Sequence, residues 1–145
     1  MNLRTASIGG YVVLVLAMVG LIVRRAILAT TPVTITAQVL ALVLMLWARQ
    51  TFGWRSFHAA ANPTQGALVT RGPYRFLRHP IYAAVLLFLS AAIVSHLSLV
   101  NVLLALIAAC AVAVRIVAEE RLLIGRYPEY PAYAARTKRV IPYVL

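Results

Sequence analysis

Aspartate is absent from the 145 residues, and the only acidic side chains are Glu119, Glu120 and Glu129, all in the last quarter of the chain. Carboxylate chemistry, if the protein performs any, is therefore confined to one short stretch. Cysteine is almost absent as well: Cys110 lies inside an apolar run, which excludes a disulfide framework and a cysteine-based metal site. There is no Gly-rich G-x-G-x-x-G turn of the kind that cradles a dinucleotide pyrophosphate. Internal repeats and low-complexity segments are missing too. What remains is apolar. Hydrophobic residues make up 63% of the chain and mean hydropathy is +0.88, against roughly 45–50% apolar in ordinary soluble domains. The expected fold is an all-α, polytopic transmembrane bundle of 145 residues forming one domain, since each spanning helix takes about 20 residues.

About four spans follow from the pattern: Ser7–Val23, Pro32–Ala48, Ile81–Ser95 and Leu97–Ala118. The first is followed by Arg24-Arg25 with no convincing cleavage site, so it is read as a helix that stays. Pro32 is tolerable in a first helical turn, where its missing N–H costs nothing. Only Ser95-His96-Leu97-Ser98 separates the last two spans, which makes them an antiparallel C-terminal hairpin. Residues 1–60 would supply the N-terminal spans and 61–145 the functional core. The segment from Arg49 to Val69, with Phe52, Trp54 and Phe57, could form an interfacial helix.

Charge then gives an orientation. Arg4, the five arginines from Arg49 to Arg78 and the six cations from Arg115 to Arg139 fall on one side, and only Arg24 and Arg25 on the other. This bias predicts that both termini and the 49–80 loop are cytoplasmic in a multi-pass protein of the cell membrane, with a cytoplasmic C-terminal segment. The net charge of +11 follows topology and suits anionic lipid head groups, so no nucleic-acid partner is expected.

Two places carry unusual chemistry. Arg115 sits inside an apolar run, where an ionisable group costs about 2.5–3.5 kcal/mol at the bilayer centre and less near an end. Glu119 follows at i+4 on the same helical face, and Glu120 is turned roughly 100° away. An interfacial ion pair would explain this pattern, and so would a polar pocket at the end of a bundle. The second place is RGPYRFLRHPIY, Arg71 to Tyr82, where three arginines and a histidine meet two prolines and three aromatics. Gly72-Pro73 reads as a turn and His79-Pro80 as a helix start. Taken singly, Tyr74 and Phe76 read as interface aromatics, and His79 as a cap or an interfacial donor. His58 and His96 read as interfacial polar residues. His79 with adjacent glutamates lacks the spacing of a zinc site, so no metal is expected.

In order along the chain, Leu68-Val69-Thr70-Arg71-Gly72-Pro73-Tyr74, Arg78-His79-Pro80-Ile81-Tyr82, Arg115 with Glu119-Glu120-x-x-Leu123, Tyr127-Pro128-Glu129-Tyr130-x-x-Tyr133 and Arg139-x-x-Pro142 resemble the isoprenylcysteine carboxyl methyltransferase family. Phosphatidylethanolamine methyltransferases belong to the same superfamily. The resemblance implies an integral-membrane enzyme using S-adenosyl-L-methionine without a Rossmann fold. Leu68, Val69, Tyr74, Arg78, His79, Tyr82 and Glu119 would hold that cofactor. Arg115, Glu119 and Glu120 would be the catalytic set, with Arg115 facing a lipophilic or membrane-associated acceptor, a carboxylate in preference to an amine. The chain departs from the family pattern at Gly66, where a polar residue can stand, and at Pro128, where glycine is usual. A membrane NADPH-dependent reductase of related fold shares a His-Pro-x-Tyr stretch, and a non-enzymatic lipid-binding protein would need only the basic loop.

Overall fold

The computed structural model describes residues 2–53 and 67–141. The described residues form five α-helices: α1 (Leu3–Val23), α2 (Pro32–Phe52), α3 (Pro80–Ser95), α4 (Leu99–Arg126) and α5 (Tyr130–Arg136). Among the described residues there is no β-strand, only an isolated parallel bridge from Leu77 to Lys138. The starts follow local chemistry. Asn2 caps α1 by accepting from the Arg4 amide at 3.2 Å. Thr31 and Thr34 form a reciprocal capping box at α2, with Pro32 in its first turn. Ser98 caps α4 by accepting from the Asn101 amide. Pro80 opens α3, but the His79 side chain makes no cap and is free for other work.

Among the described residues three helices, α1, α2 and α4, are long and apolar enough to cross a bilayer. The third expected span, α3, has 16 residues, which at 1.5 Å each reach about 24 Å against a hydrocarbon core of roughly 30 Å. The last expected span ends at Ala118, whereas α4 continues to Arg126 because neither glycine nor proline interrupts it before Gly125. This continuation carries Glu119 and Glu120 on the same helix as Arg115, as their spacing implied.

The principal seam joins α1 to α4, antiparallel. The buried face of α1 is Ser7, Gly10, Leu14, Ala17 and Leu21, an i, i+3, i+4 series, and it meets Ala108, Ala111, Val112 and Arg115 of α4. Small residues let helix backbones approach where lipid supplies no hydrophobic drive between helices. The outward faces, including Leu16, Ile22, Leu40, Leu46, Leu103 and Ile107, are exposed and apolar, as a lipid-facing surface requires. At one end of the bundle Gln38 ties the turn after α1 to α3, donating to the Ile27 carbonyl at 2.9 Å and the Phe88 carbonyl at 3.3 Å. There His96 bonds the Leu28 carbonyl at 2.7 Å, and Arg24 donates to Asn101 at 2.6 Å. The other end gathers the first turns of α1 and α3, the last turns of α4, α5 and residues 67–79. Trp54, Phe57, His58, Gly66 and Pro142, each part of a sequence-based expectation, lie outside the described residues.

Candidate functional site

A short 3-10 turn, Gly72–Arg75, delivers the chain to α3. Gly72 has φ +58°, and a side chain there would collide with Thr51 of α2, so the position requires glycine twice over. Tyr74 is thereby buried, its ring 5.6 Å from that of Phe52, and its carbonyl accepts from the Tyr133 hydroxyl at 2.6 Å. Residues 137–139 run beside 76–79: the Arg78 amide donates to the Lys138 carbonyl at 2.7 Å and the His79 amide to the Arg139 carbonyl at 2.9 Å. The C-terminal segment is a strap that locks the loop bearing Arg78 and His79.

The two glutamates, one helical step apart, serve different partners. Glu119 accepts from the Tyr82 hydroxyl in a short hydrogen bond and from Arg115 Nη2 at 3.4 Å, and its other oxygen lies 3.7 Å from His79 Nδ1. Glu120 accepts from Arg78 Nε at 2.9 Å and from Arg139 Nη2 at 3.0 Å. His79 stands between them, its Nε2 3.5 Å from Glu120 but outside hydrogen-bonding geometry. Arg78 is fixed further by the Ala134 carbonyl at 2.6 Å and the Thr137 carbonyl at 2.7 Å. Arg115 donates through Nε to the Tyr82 hydroxyl at 2.7 Å and through Nη1 to the Ser7 carbonyl at 2.9 Å.

The structure thus brings Arg78, His79, Tyr82, Arg115, Glu119 and Glu120 into one connected cluster. Tyr74 adjoins it through Tyr133. Leu68 packs on an aromatic group made by Tyr127, Tyr130 and Tyr133, and Val69 is half-buried next to it in sequence. Sequence reasoning assigned no site role to Ser7, Tyr11, Tyr130, Tyr133, Thr137 or Arg139. The Tyr130-x-x-Tyr133 spacing puts both rings on one face of α5, but nothing in the sequence says what that face meets. Ser7 and Tyr11 carried no signal at all.

Burial raises the ionisation range of the tyrosines outside the spans. Tyr133 is pushed up to about 12. Tyr74 and Tyr130 are raised further, by burial first, then by Tyr133 for Tyr74 and by Glu120 for Tyr130. All three stay neutral donors at physiological pH. Three buried polar atoms, Ser7 Oγ, His79 Nε2 and Tyr130 Oη, lack hydrogen-bond partners among the described residues. Buried polar groups are normally satisfied, so His79 Nε2 and Tyr130 Oη, on the loop and α5 side, are open to a polar ligand. A ligand with hydrogen-bonding groups beside a flat apolar ring would meet both those atoms and the Leu68 and tyrosine surface.

Helices of this length and hydropathy define an integral-membrane protein, with a buried charged cluster gathered at one end of the bundle. The phospholipid methyltransferase family model matches residues 26–130, more than half of the chain, and the chain belongs to that family. Comparison with curated proteins and with solved structures found no match. The family makes this a membrane methyltransferase.

Proposed function

We propose that the protein methylates a lipophilic, membrane-associated acceptor, with S-adenosyl-L-methionine as methyl donor taken from the cytosolic face. The observation carrying this reading is the cluster itself, in which Tyr82, His79 and Arg115 converge on Glu119 beside the unsatisfied atoms of His79 and Tyr130. The cofactor would supply a methyl group already activated on a sulfonium, so the chain's work is orientation and exclusion of water more than heavy acid–base catalysis. Leu68, Val69, Tyr74, Arg78, His79, Tyr82, Glu119 and Tyr130 would bind it. Glu120, held by Arg78 and Arg139, would keep the wall that carries His79 in position.

Arg115 alone suggests a carboxylate acceptor. Its donors, however, go to the Ser7 carbonyl, the Tyr82 hydroxyl and Glu119, so an anionic acceptor would have to displace Glu119. This arrangement favours an amine, whose ammonium form must shed a proton before its nitrogen can attack. Glu119 would take that proton directly or through Tyr82. The carboxylate remains the second reading, supported by the guanidinium. Product chemistry separates them: a methyl ester releases methanol in mild alkali, and an N-methyl group does not.

Titration of the detergent-purified protein with S-adenosyl-L-methionine tests the reading. The parent should bind, while Glu119→Ala and His79→Ala should each bind at least about tenfold more weakly, the loss expected when a charge-assisted contact of about 1.5–3 kcal/mol is removed. A parent protein that does not bind would overturn it.

A further inference from the structure

The first helix lies wholly outside the residues matched by the family model, yet it touches the centre of the cluster. We infer that α1 is a positioning element for the reaction, setting Arg115, and through it Tyr82 and Glu119, by three features of one helical turn. The Ser7 carbonyl accepts from Arg115 Nη1 at 2.9 Å. Gly10 admits the arginine stem: a Cβ at Gly10 would stand 3.0 Å from Arg115 Cγ and 3.0 Å from the Ala111 carbonyl oxygen. The Tyr11 ring centroid lies 5.2 Å from the guanidinium carbon, within cation–π range.

The consequence runs through one guanidinium. Arg115 Nε holds the Tyr82 hydroxyl, and Arg115 Nη2 and that hydroxyl both bond the same Glu119 oxygen. A shift of the arginine stem by a few tenths of an ångström therefore moves both groups that face the acceptor. It leaves Glu120, Arg78, Arg139 and the tyrosine group of α5 in place, because they are tied to one another and to the C-terminal strap. A displacement on the scale of an ångström can cost about 100-fold in rate without contact with the reacting atoms.

The inference rests on the methyltransferase reading, and three glycines of the same helix test it. Gly9 faces open space, Gly10 faces Arg115, and Gly20 faces only the Leu104 side chain, 3.2 Å from its added Cβ. Gly10→Ala should lower kcat by about tenfold or more and weaken S-adenosyl-L-methionine binding less than Glu119→Ala does, because it shifts Tyr82 and Glu119 without removing them. Gly20→Ala, whose new methyl meets only the yielding ends of Leu104, should leave kcat nearly intact; Gly9→Ala should leave kcat unchanged and raise the Tm slightly, as alanine does at an open helix-interior glycine. Tyr11→Leu should act as a milder Gly10→Ala, and Tyr11→Phe should restore the parent rate because the ring is kept. Equal kcat losses in Gly10→Ala and Gly20→Ala, or none in Gly10→Ala, would overturn the inference. If the parent neither binds cofactor nor transfers methyl, the proposed function fails, and a stability cycle still decides the positioning. The Tm loss from Tyr11→Leu should shrink in an Arg115→Met background, whereas additive losses would refute the contact.

Discussion

At the residue scale, the two adjacent glutamates show how position on a helix separates roles that composition cannot. Glu120 is nine-tenths buried and bound by Arg78, whose guanidinium is likewise buried, whereas the second partner, Arg139, is half exposed. Breaking a buried pair strands a charge and costs about 3–5 kcal/mol, while an exposed partner contributes about 0–1 kcal/mol. Glu120→Gln should therefore unfold in detergent well below the parent, and Arg139→Ala within a few degrees of it. The buried phenols of Tyr74, Tyr130 and Tyr133 add a pH dependence of definite sign. Their ionisation is raised above the unfolded value of about 10, so the stability they contribute is intact below that pH. It is lost as pH rises through the folded value of about 12 for Tyr133. Phenolate absorbance should show these three rings still protonated when exposed phenols have titrated, and appearing together with loss of helix.

At the scale of elements, the 3-10 turn and the strap at residues 137–139 aim the loop into the bundle end. Gly72→Ala should destabilise by at least about 1–2 kcal/mol, since φ +58° is a left-handed conformation and the new methyl meets Thr51. Gly125→Ala, in the last turn of α4 with no atom within 4 Å of the added carbon, should instead stabilise by about 0.5–1 kcal/mol. Equal Tm shifts for the two variants would refute this account of the turn. Pro32 and Pro80 were legible as helix starts, because a first turn has no use for the missing amide. The apolar pattern marks the end of the last span at Glu119-Glu120, and the i+4 spacing from Arg115 keeps Glu119 helical. Charged residues end an apolar span, but they do not end a helix, and the helix runs on to the Gly125-Arg126-Tyr127-Pro128 stretch.

At the scale of the whole molecule, apolar faces on every side and basic residues gathered at the end bearing the cluster make an orientation testable. With the basic end cytosolic, a cysteine introduced by Lys138→Cys should react with a membrane-impermeant thiol reagent only after the cells are opened. Thr30→Cys should react from outside, and the native Cys110, on the lipid-facing side of α4, from neither. External labelling at residue 138 would reverse the topology and with it the cytosolic entry of cofactor.

The sequence by itself determined the class of this protein. Hydropathy, the lack of acids and the order of the Arg78-His79-Pro80, Glu119-Glu120 and Tyr130-x-x-Tyr133 pieces are local properties of the chain, and they sufficed for a membrane bundle resembling methyltransferases. Only the tertiary structure decided how the pieces divide. It assigned Glu119 to Tyr82 and Arg115, assigned Glu120 to Arg78 and the strap, and turned Arg115 inward onto the Ser7 carbonyl. Contacts between residues 108 positions apart depend on helix crossing and small-residue packing, and no local pattern encodes which carbonyl a buried guanidinium will reach.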